Sequence, residues 1–214
     1  MKKLIITFIF MIFGLILPAN ADTMPVSSAS IQHNTIGMYQ VPKHVVIYEK
    51  ADTKSKVVYE ANWDYEKFKA SSGTDYSFFS VFIPRKELGF IQVVDFTEDW
   101  INVVYNKERH LTGWVQAEEL RFMMWRNFYG TYGRKYGLFI FDDKKDIAKE
   151  LHSGTTEESQ VVDSITTQIS KIRLTAIKGN WALVTVLDVN KSAKTGYIRW
   201  RTDDGELQLF PDIK

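Results

Sequence analysis

Apolar and polar residues alternate at period two along most of this chain, and no apolar stripe of helical period runs longer than two turns. The alternation predicts short strands over residues 45–48, 56–60, 77–83, 90–94, 100–105, 111–115, 138–141, 182–187 and 195–200. Pro84 stops one of them, and polar turns separate the rest. Residues 62–75 are polar, with Gly73 and paired serines, and read as a long excursion. Residues 147–151 fit either a helical turn or a strand. An all-β protein is expected.

The strand pattern is written twice. Trp100 opens a strand that a polar loop joins to a second strand opened by Gly113-Trp114. Near the C-terminus Gly179-Asn-Trp181 opens a strand, and a loop through Lys194 leads to Thr195-Gly-Tyr-Ile-Arg-Trp200. Upstream, Ile47-Tyr-Glu-Lys-Ala-Asp-Thr-Lys-Ser-Lys-Val-Val58 can be laid over Leu151-His-Ser-Gly-Thr-Thr-Glu-Glu-Ser-Gln-Val-Val162. Two blocks in the same order argue for a duplicated domain. The expected units are residues 41–120, with an insertion near 60–90, and residues 138–214. Between them, residues 121–137 form a connector rich in aromatic and basic side chains. Two readings of that connector stand: rings that pack both units, or an aromatic-cationic ligand surface. Gly130, Gly133 and Gly137 argue against one long helix or one strand there.

The N-terminus changes the picture of where the chain works. Lys2-Lys3, the apolar run over residues 4–17 and Pro18-Ala-Asn-Ala21 have the layout of a secretory signal, residues 1–21, cleaved after Ala21. An uncleaved membrane anchor is the alternative, for which the apolar run is short. Residues 22–40 are Ser-, Thr- and Asn-rich and read as a flexible arm. A periplasmic or secreted protein is expected, with no stable membrane insertion after cleavage. There is no cysteine, hence no disulfide and no thiol nucleophile. Of 27 basic side chains two leave with the signal; the remaining 25 face 26 acidic ones, a net of −1. Such a balance argues against nucleic acid as a partner. Aromatics make up 14% of the residues, a surplus that suits small β cores stitched by rings or a ring-lined ligand surface.

Ser55-Lys-Val-Val58, Glu98-Asp-Trp-Ile-Asn-Val103 and Thr112-Gly-Trp-Val115 in the first copy resemble the bacterial SH3-like family. So do Ser159-Gln-Val-Val162, Gly179-Asn-Trp-Ala-Leu-Val184 and Thr195-Gly-Tyr-Ile198 in the second, with tyrosine where tryptophan is usual. The resemblance covers most of the chain after the signal. It implies two small, partly open barrels in tandem that bind cell-wall peptides, glycans or envelope proteins through aromatic grooves. Trp100, Trp114, Trp181 and Tyr197 match the motif positions of such a groove, although each ring is equally at home in a core. Arg199 and Trp200 follow on the last motif strand, where an arginine beside rings can bind a carboxylate or stack on a ring, and where a solvated cross-strand face with Glu206 is the commoner arrangement. Alternation puts Tyr197, Arg199 and Arg201 on one face and Ile198 and Trp200 on the other. Asp204-Gly205 supplies a turn back to residues 206–210.

Other chemistry is not written in the chain. A Gly-x-Ser-x-Gly elbow and a phosphate-binding glycine loop are missing. His33, His44, His110 and His152 lack metal-ligand spacing and read as surface or loop residues. Asp188-Val-Asn-Lys-Ser-Ala193 starts like a calcium loop but has Ala193 at the glycine position and Arg199 where a glutamate is needed. Asp142-Asp143 and Asp203-Asp204 sit in expected turns. No catalytic residue, metal or cofactor is assigned. The leading expectation is a noncatalytic envelope-binding protein with peptidoglycan or a wall-associated ligand as partner. The alternatives are a periplasmic protein–protein adaptor and, more remotely, a carboxylate-dependent wall hydrolase.

Overall fold

A computed structural model describes residues 26–63, 69–70, 78–83, 86–118, 120–145, 150–165, 169–189 and 192–213. Residues 1–21, expected as a signal, and most of the 62–75 excursion lie outside the described residues. The chain is all-β, with two sheets of antiparallel strands and one short helical segment.

The first sheet holds β1 (Gly37–Gln40), β2 (His44–Tyr48), β3 (Val57–Asn62), β4 (Lys69–Ala70), β5 (Val81–Ile83), β6 (Leu88–Phe96), β7 (Trp100–Asn106), β8 (Leu111–Gln116) and β9 (Phe122–Met124). Its order is β4-β3-β2-β8-β7-β6-β1-β9, with β5 beside β6. The second holds β10 (Leu138–Ile140), β11 (Glu150–His152), β12 (Val161–Ser164), β13 (Ile169–Lys178), β14 (Trp181–Asp188), β15 (Ala193–Arg199) and β16 (Leu209–Pro211), in the order β12-β11-β15-β14-β13-β10-β16. Setting β4 and β5 aside, the two orders are the same permutation of the same strands. The duplication therefore extends to topology, and the extra strands fall in the 60–90 segment. Neither sheet closes into a barrel.

Two glycines occupy equivalent places in the two copies. On β8, a Cβ at Gly113 would lie 2.6 Å from Cγ2 of Ile47 and 2.9 Å from the Tyr48 carbonyl oxygen. On β15, a Cβ at Gly196 would lie 2.8 Å from Cβ of Leu151 and 3.1 Å from the His152 carbonyl oxygen. Ile47 lies over Leu151, and Tyr48 over His152, in the sequence repeat. Neither glycine has positive φ, so close backbone crossing is the reason for glycine here.

β1 corrects the expected flexible arm. Met38 and Tyr39 are almost wholly buried between β6 and β9, and Gly37 admits the Met123 carbonyl where a Cβ would sit 2.2 Å away. Four strand residues after a polar stretch are too few for periodicity to declare them. Upstream, Ile31 and Thr35 are buried as well. The fully buried Gln92 carries this segment: its Oε1 accepts from Gln32 N at 2.7 Å, and its Nε2 donates to Ser30 O at 2.6 Å and Ser80 Oγ at 2.7 Å.

The connector is β9 followed by a helix over residues 125–136, whose middle turn, Tyr129–Gly133, is π-helical. It ends at Gly137, where φ is +92°. Gly133 is a packing position: a Cβ would touch Leu138 and Leu174 at 3.0 Å each. Trp125, Phe128 and Tyr129 are buried, and they join Met38 and Phe90 of the first sheet to Leu138, Trp200 and Phe210 of the second in one core. Tyr129 packs against Trp200 with ring centroids 4.4 Å apart and planes tilted by 48°, and donates its hydroxyl to the Leu209 carbonyl. A second core, built on Ile47, Tyr59, Phe78, Phe79 and Val103, fills the first sheet alone. Of the two readings of the connector, ring packing across both units is the one seen.

Strand faces follow the alternation. Ile101 and Val103 point inward on β7; Ile198 and Trp200 are buried while Tyr197, Arg199 and Arg201 are half-exposed. On β14, Ala182, Val184 and Val186 are buried, but Leu183, Thr185 and Leu187 are only half-covered, so the expected second cover is partial. The hairpin around Gly205 is reduced to one bridge, Arg201 with Leu207, flanked by backbone bonds from Thr202 N to Glu206 O and from Gln208 N to Trp200 O.

Candidate functional site

The sequence-predicted residues fall into two equivalent places and one core. β7 and β8 present Trp100 and Trp114, and β2 adds Tyr48, paired directly with Trp114. β14 and β15 present Trp181 and Tyr197, and β11 adds His152, paired with Tyr197. Tyr48 meets Trp100 edge to face at 5.8 Å and 88°; His152 meets Trp181 edge to face at 5.1 Å and 70°. The same T-shaped pair is thus built twice, a geometry favoured by the ring quadrupole. Trp200 is not part of either place. It is 3% exposed in the shared core and donates Nε1 to the Gly179 carbonyl at 3.0 Å, so it has no face for a ligand.

Beside each pair lies a hollow. The first, about 170 Å³, is lined by Tyr48, Gln116, His44, Glu118, Val46 and Val115 among others. The second, about 230 Å³, is lined by His152, Arg199, Trp181, Glu150, Glu157 and Ile198, with Thr202 and Gln208. Through the repeat, Tyr48 corresponds to His152, Val46 to Glu150, Val115 to Ile198 and Gln116 to Arg199. Four lining positions thus correspond, with Gln116 and Val46 of the first replaced by Arg199 and Glu150 in the second. Trp181 lines the second hollow, whereas Trp100 stands outside the lining of the first, which carries Glu118 instead.

Arg199 organises the second hollow. Its guanidinium carbon lies 5.9 Å from the Trp181 ring centroid. Nη2 pairs with Asp203 Oδ2 at 2.6 Å, Nη1 pairs with Glu157, and Nε donates to the Arg201 carbonyl at 3.3 Å. Asp203 also accepts from Asn180 Nδ2 at 2.9 Å. Hydrogen bonds from Arg199 first, then Asn180, hold the Asp203 carboxyl below the usual carboxylate range. Those two carboxylates hold the Arg199 charge in place, raising its pKa further, with Asp203 the larger influence.

His152 corrects its expected surface placement: only 6% is exposed. Nδ1 donates to the Ser159 carbonyl at 3.1 Å, which fixes the ring, and Nε2 faces Glu150 at 3.7 Å. The site residues that sequence reasoning missed are Tyr48, His152, Glu150, Glu157 and Gln116. Aligning Ile47 with Leu151 already places Tyr48 over His152; a comparison of that column with the Trp100 and Trp181 columns carries the signal. Glu157 lies in a polar loop with nothing to mark it.

Other candidates stand apart. Lys178 lies over the Tyr197 ring at 5.5 Å. No group of three or more histidine and acidic side chains could hold a metal ion among the described residues. No helix there is long and apolar enough to cross a membrane. No protein-family model matches the chain, and no curated protein matches it.

Proposed function

We propose that this chain is a noncatalytic binding protein of the bacterial cell envelope, exported by its N-terminal signal, that holds peptidoglycan or a wall-associated ligand in its two aromatic hollows. The observation that carries this reading is the duplicated edge-to-face pair, Tyr48 with Trp100 and His152 with Trp181, each beside an open hollow at the same place in its sheet. Tyr48 and Trp100 are partly exposed, whereas His152 and Trp181 are buried, at 6% and 7% exposure, and offer the second hollow little more than ring edges. Ring surface next to a concave, mixed-polarity wall suits sugar rings and peptide bonds. The motif resemblance to bacterial SH3-like domains points the same way. The alternative role of protein adaptor would rest on the outer side of the connector, Met124, Arg126, Arg134 and Lys135, since Trp125, Phe128 and Tyr129 face the core.

The test is co-sedimentation with purified peptidoglycan, comparing wild type with Trp100→Ala and Trp181→Ala variants whose folding has been verified by circular dichroism. Trp100, the more exposed ring, is the cleaner probe. Loss of wall binding in a folded variant supports the reading, and absence of binding by the wild type overturns it.

A further inference from the structure

We infer that the second hollow is a receptor for the free carboxylate end of a peptide, with Glu157 occupying the ligand's place on Arg199. This rests on the binding reading above and names the ligand chemistry of one of its two sites.

The argument starts from the unequal hold of the two carboxylates on Arg199. Asp203 is fixed twice, by Arg199 at 2.6 Å and by Asn180 at 2.9 Å. Glu157 comes from the loop between β11 and β12, its side chain is 56% exposed, and Arg199 is its one partner among the described residues. Asp203 is the more exposed of the two, at 84%, so the second bond from Asn180 and not burial is what sets it apart; Glu157, exposed and singly held, is the one readily exchanged. Asp203 thus orients the guanidinium, whereas Glu157 fills a position that an incoming carboxylate can take. A planar guanidinium held beside an aromatic ring and fixed from one side is preorganised for a carboxylate.

The rest of the lining selects a peptide end over a simple anion. Ile198 and Trp181 give apolar surface, and Thr202 and Gln208 are polar. Glu150 lines the same hollow. Its charge repels a bare polyanion but accepts a hydrogen bond from an amide N–H a short distance from the bound carboxylate. The first hollow has Gln116, Tyr48 and Val46 at the corresponding positions and no arginine in its lining. The carboxylate preference therefore belongs to the second copy alone.

The experiment titrates the intact protein with acetyl-alanyl-alanine and with its C-terminal carboxamide, following the tryptophan indole N–H resonances. The acid is expected to shift the Trp181 resonance, and the carboxamide to bind at least about tenfold more weakly, the loss of one charge-assisted contact. Glu157→Gln, a surface change, is expected to tighten binding of the acid by roughly threefold by removing the competitor. Arg199→Gln is expected to abolish the preference. Equal binding of acid and carboxamide, no binding of either, or weaker binding in Glu157→Gln would overturn the proposal. Co-sedimentation with peptidoglycan whose carboxyls have been amidated separates this from the broader reading. If wild type binds untreated and amidated wall equally, the carboxylate receptor fails while wall binding stands. If it binds neither wall yet prefers the acid peptide, the receptor stands and wall binding fails.

Discussion

Arg201 donates from Nη2 to the carbonyl oxygen of Thr35 at 3.1 Å, joining the last strands of the second sheet to the segment that enters the first. The same nitrogen reaches the His33 carbonyl at 3.1 Å, and Nε reaches the Gly205 carbonyl at 3.2 Å. Trp125 Nε1 donates to the Thr35 carbonyl too, at 2.8 Å. Burial pulls the Arg201 pKa below the usual guanidinium value, so its charge is held at some cost and recovered in these bonds. Arg201→Met keeps the apolar stem and removes the donors. It should destabilise the protein by about 2 kcal/mol, measured by urea unfolding. A loss under about 0.5 kcal/mol would mean that the junction contributes little.

Gln92 makes the complementary attachment from the first sheet. All three of its bonds run to groups that would be left without partners in Gln92→Leu: Gln32 N, Ser30 O and Ser80 Oγ. The expected cost is about 3 kcal/mol. Amide exchange should localise it, with Gln32 losing protection while Val103 on β7 keeps its own. Uniform loss of protection across the sheet would contradict a local role.

How much of this was legible in the sequence depends on the length of each signal. β7, β8, β14 and β15 were readable because each alternates over several residues and opens on tryptophan or carries glycine at a fixed place. β1 was not, since Met38 and Tyr39 are buried by partners more than fifty positions away and follow a stretch composed like a loop. The helix over residues 125–136 corrects the reading that no helical stripe exceeds two turns and that the connector glycines exclude a helix: Trp125, Phe128, Tyr129, Tyr132 and Tyr136 recur at helical spacing over three turns. Three glycines obscured it, although Gly133 serves packing and Gly137 marks the end. In the site, ring positions were legible from the repeated motif. The Arg199 partners were not, because Glu157 and Asp203 come from loops whose geometry no period encodes.

The paired glycines make the duplication testable. Gly113→Ala and Gly196→Ala each force a Cβ into a buried aliphatic side chain and a strand carbonyl, at 2.6 and 2.9 Å in the first copy and 2.8 and 3.1 Å in the second. Each should cost about 1–3 kcal/mol by overpacking. Gly130→Ala is the control: its Cβ would meet nothing within 4 Å. Inside a helical turn that change should stabilise by roughly 0.5–1 kcal/mol. Thermal unfolding of the three variants decides it. Neutral outcomes at positions 113 and 196 would remove close strand crossing as the reason for glycine.

Asp203 gives the site a signature in acid. Its folded-state pKa lies below the ordinary carboxylate value, chiefly through the hydrogen bond from Arg199 and then that from Asn180. A depressed pKa means that the folded protein releases this proton more readily than the unfolded chain. The resulting stability is present above the unfolded value of about 3.9 and is lost as pH falls through the lower folded value. Wild type should therefore lose stability on acidification below about pH 4, with Asp203 one of the contributors. Arg199→Gln should move the Asp203 carboxyl up towards its ordinary pKa and make the acid slope shallower; Asn180→Ala should do the same to a smaller degree. Carbon-detected NMR titration of the side-chain carboxyls, run beside urea unfolding at pH 3 and pH 7, reads both effects. Should Asp203 titrate at the ordinary value in wild type and variant alike, its pairing with Arg199 would not persist in solution. Among the described residues Glu157 would then be the carboxylate left to orient the guanidinium at the second hollow.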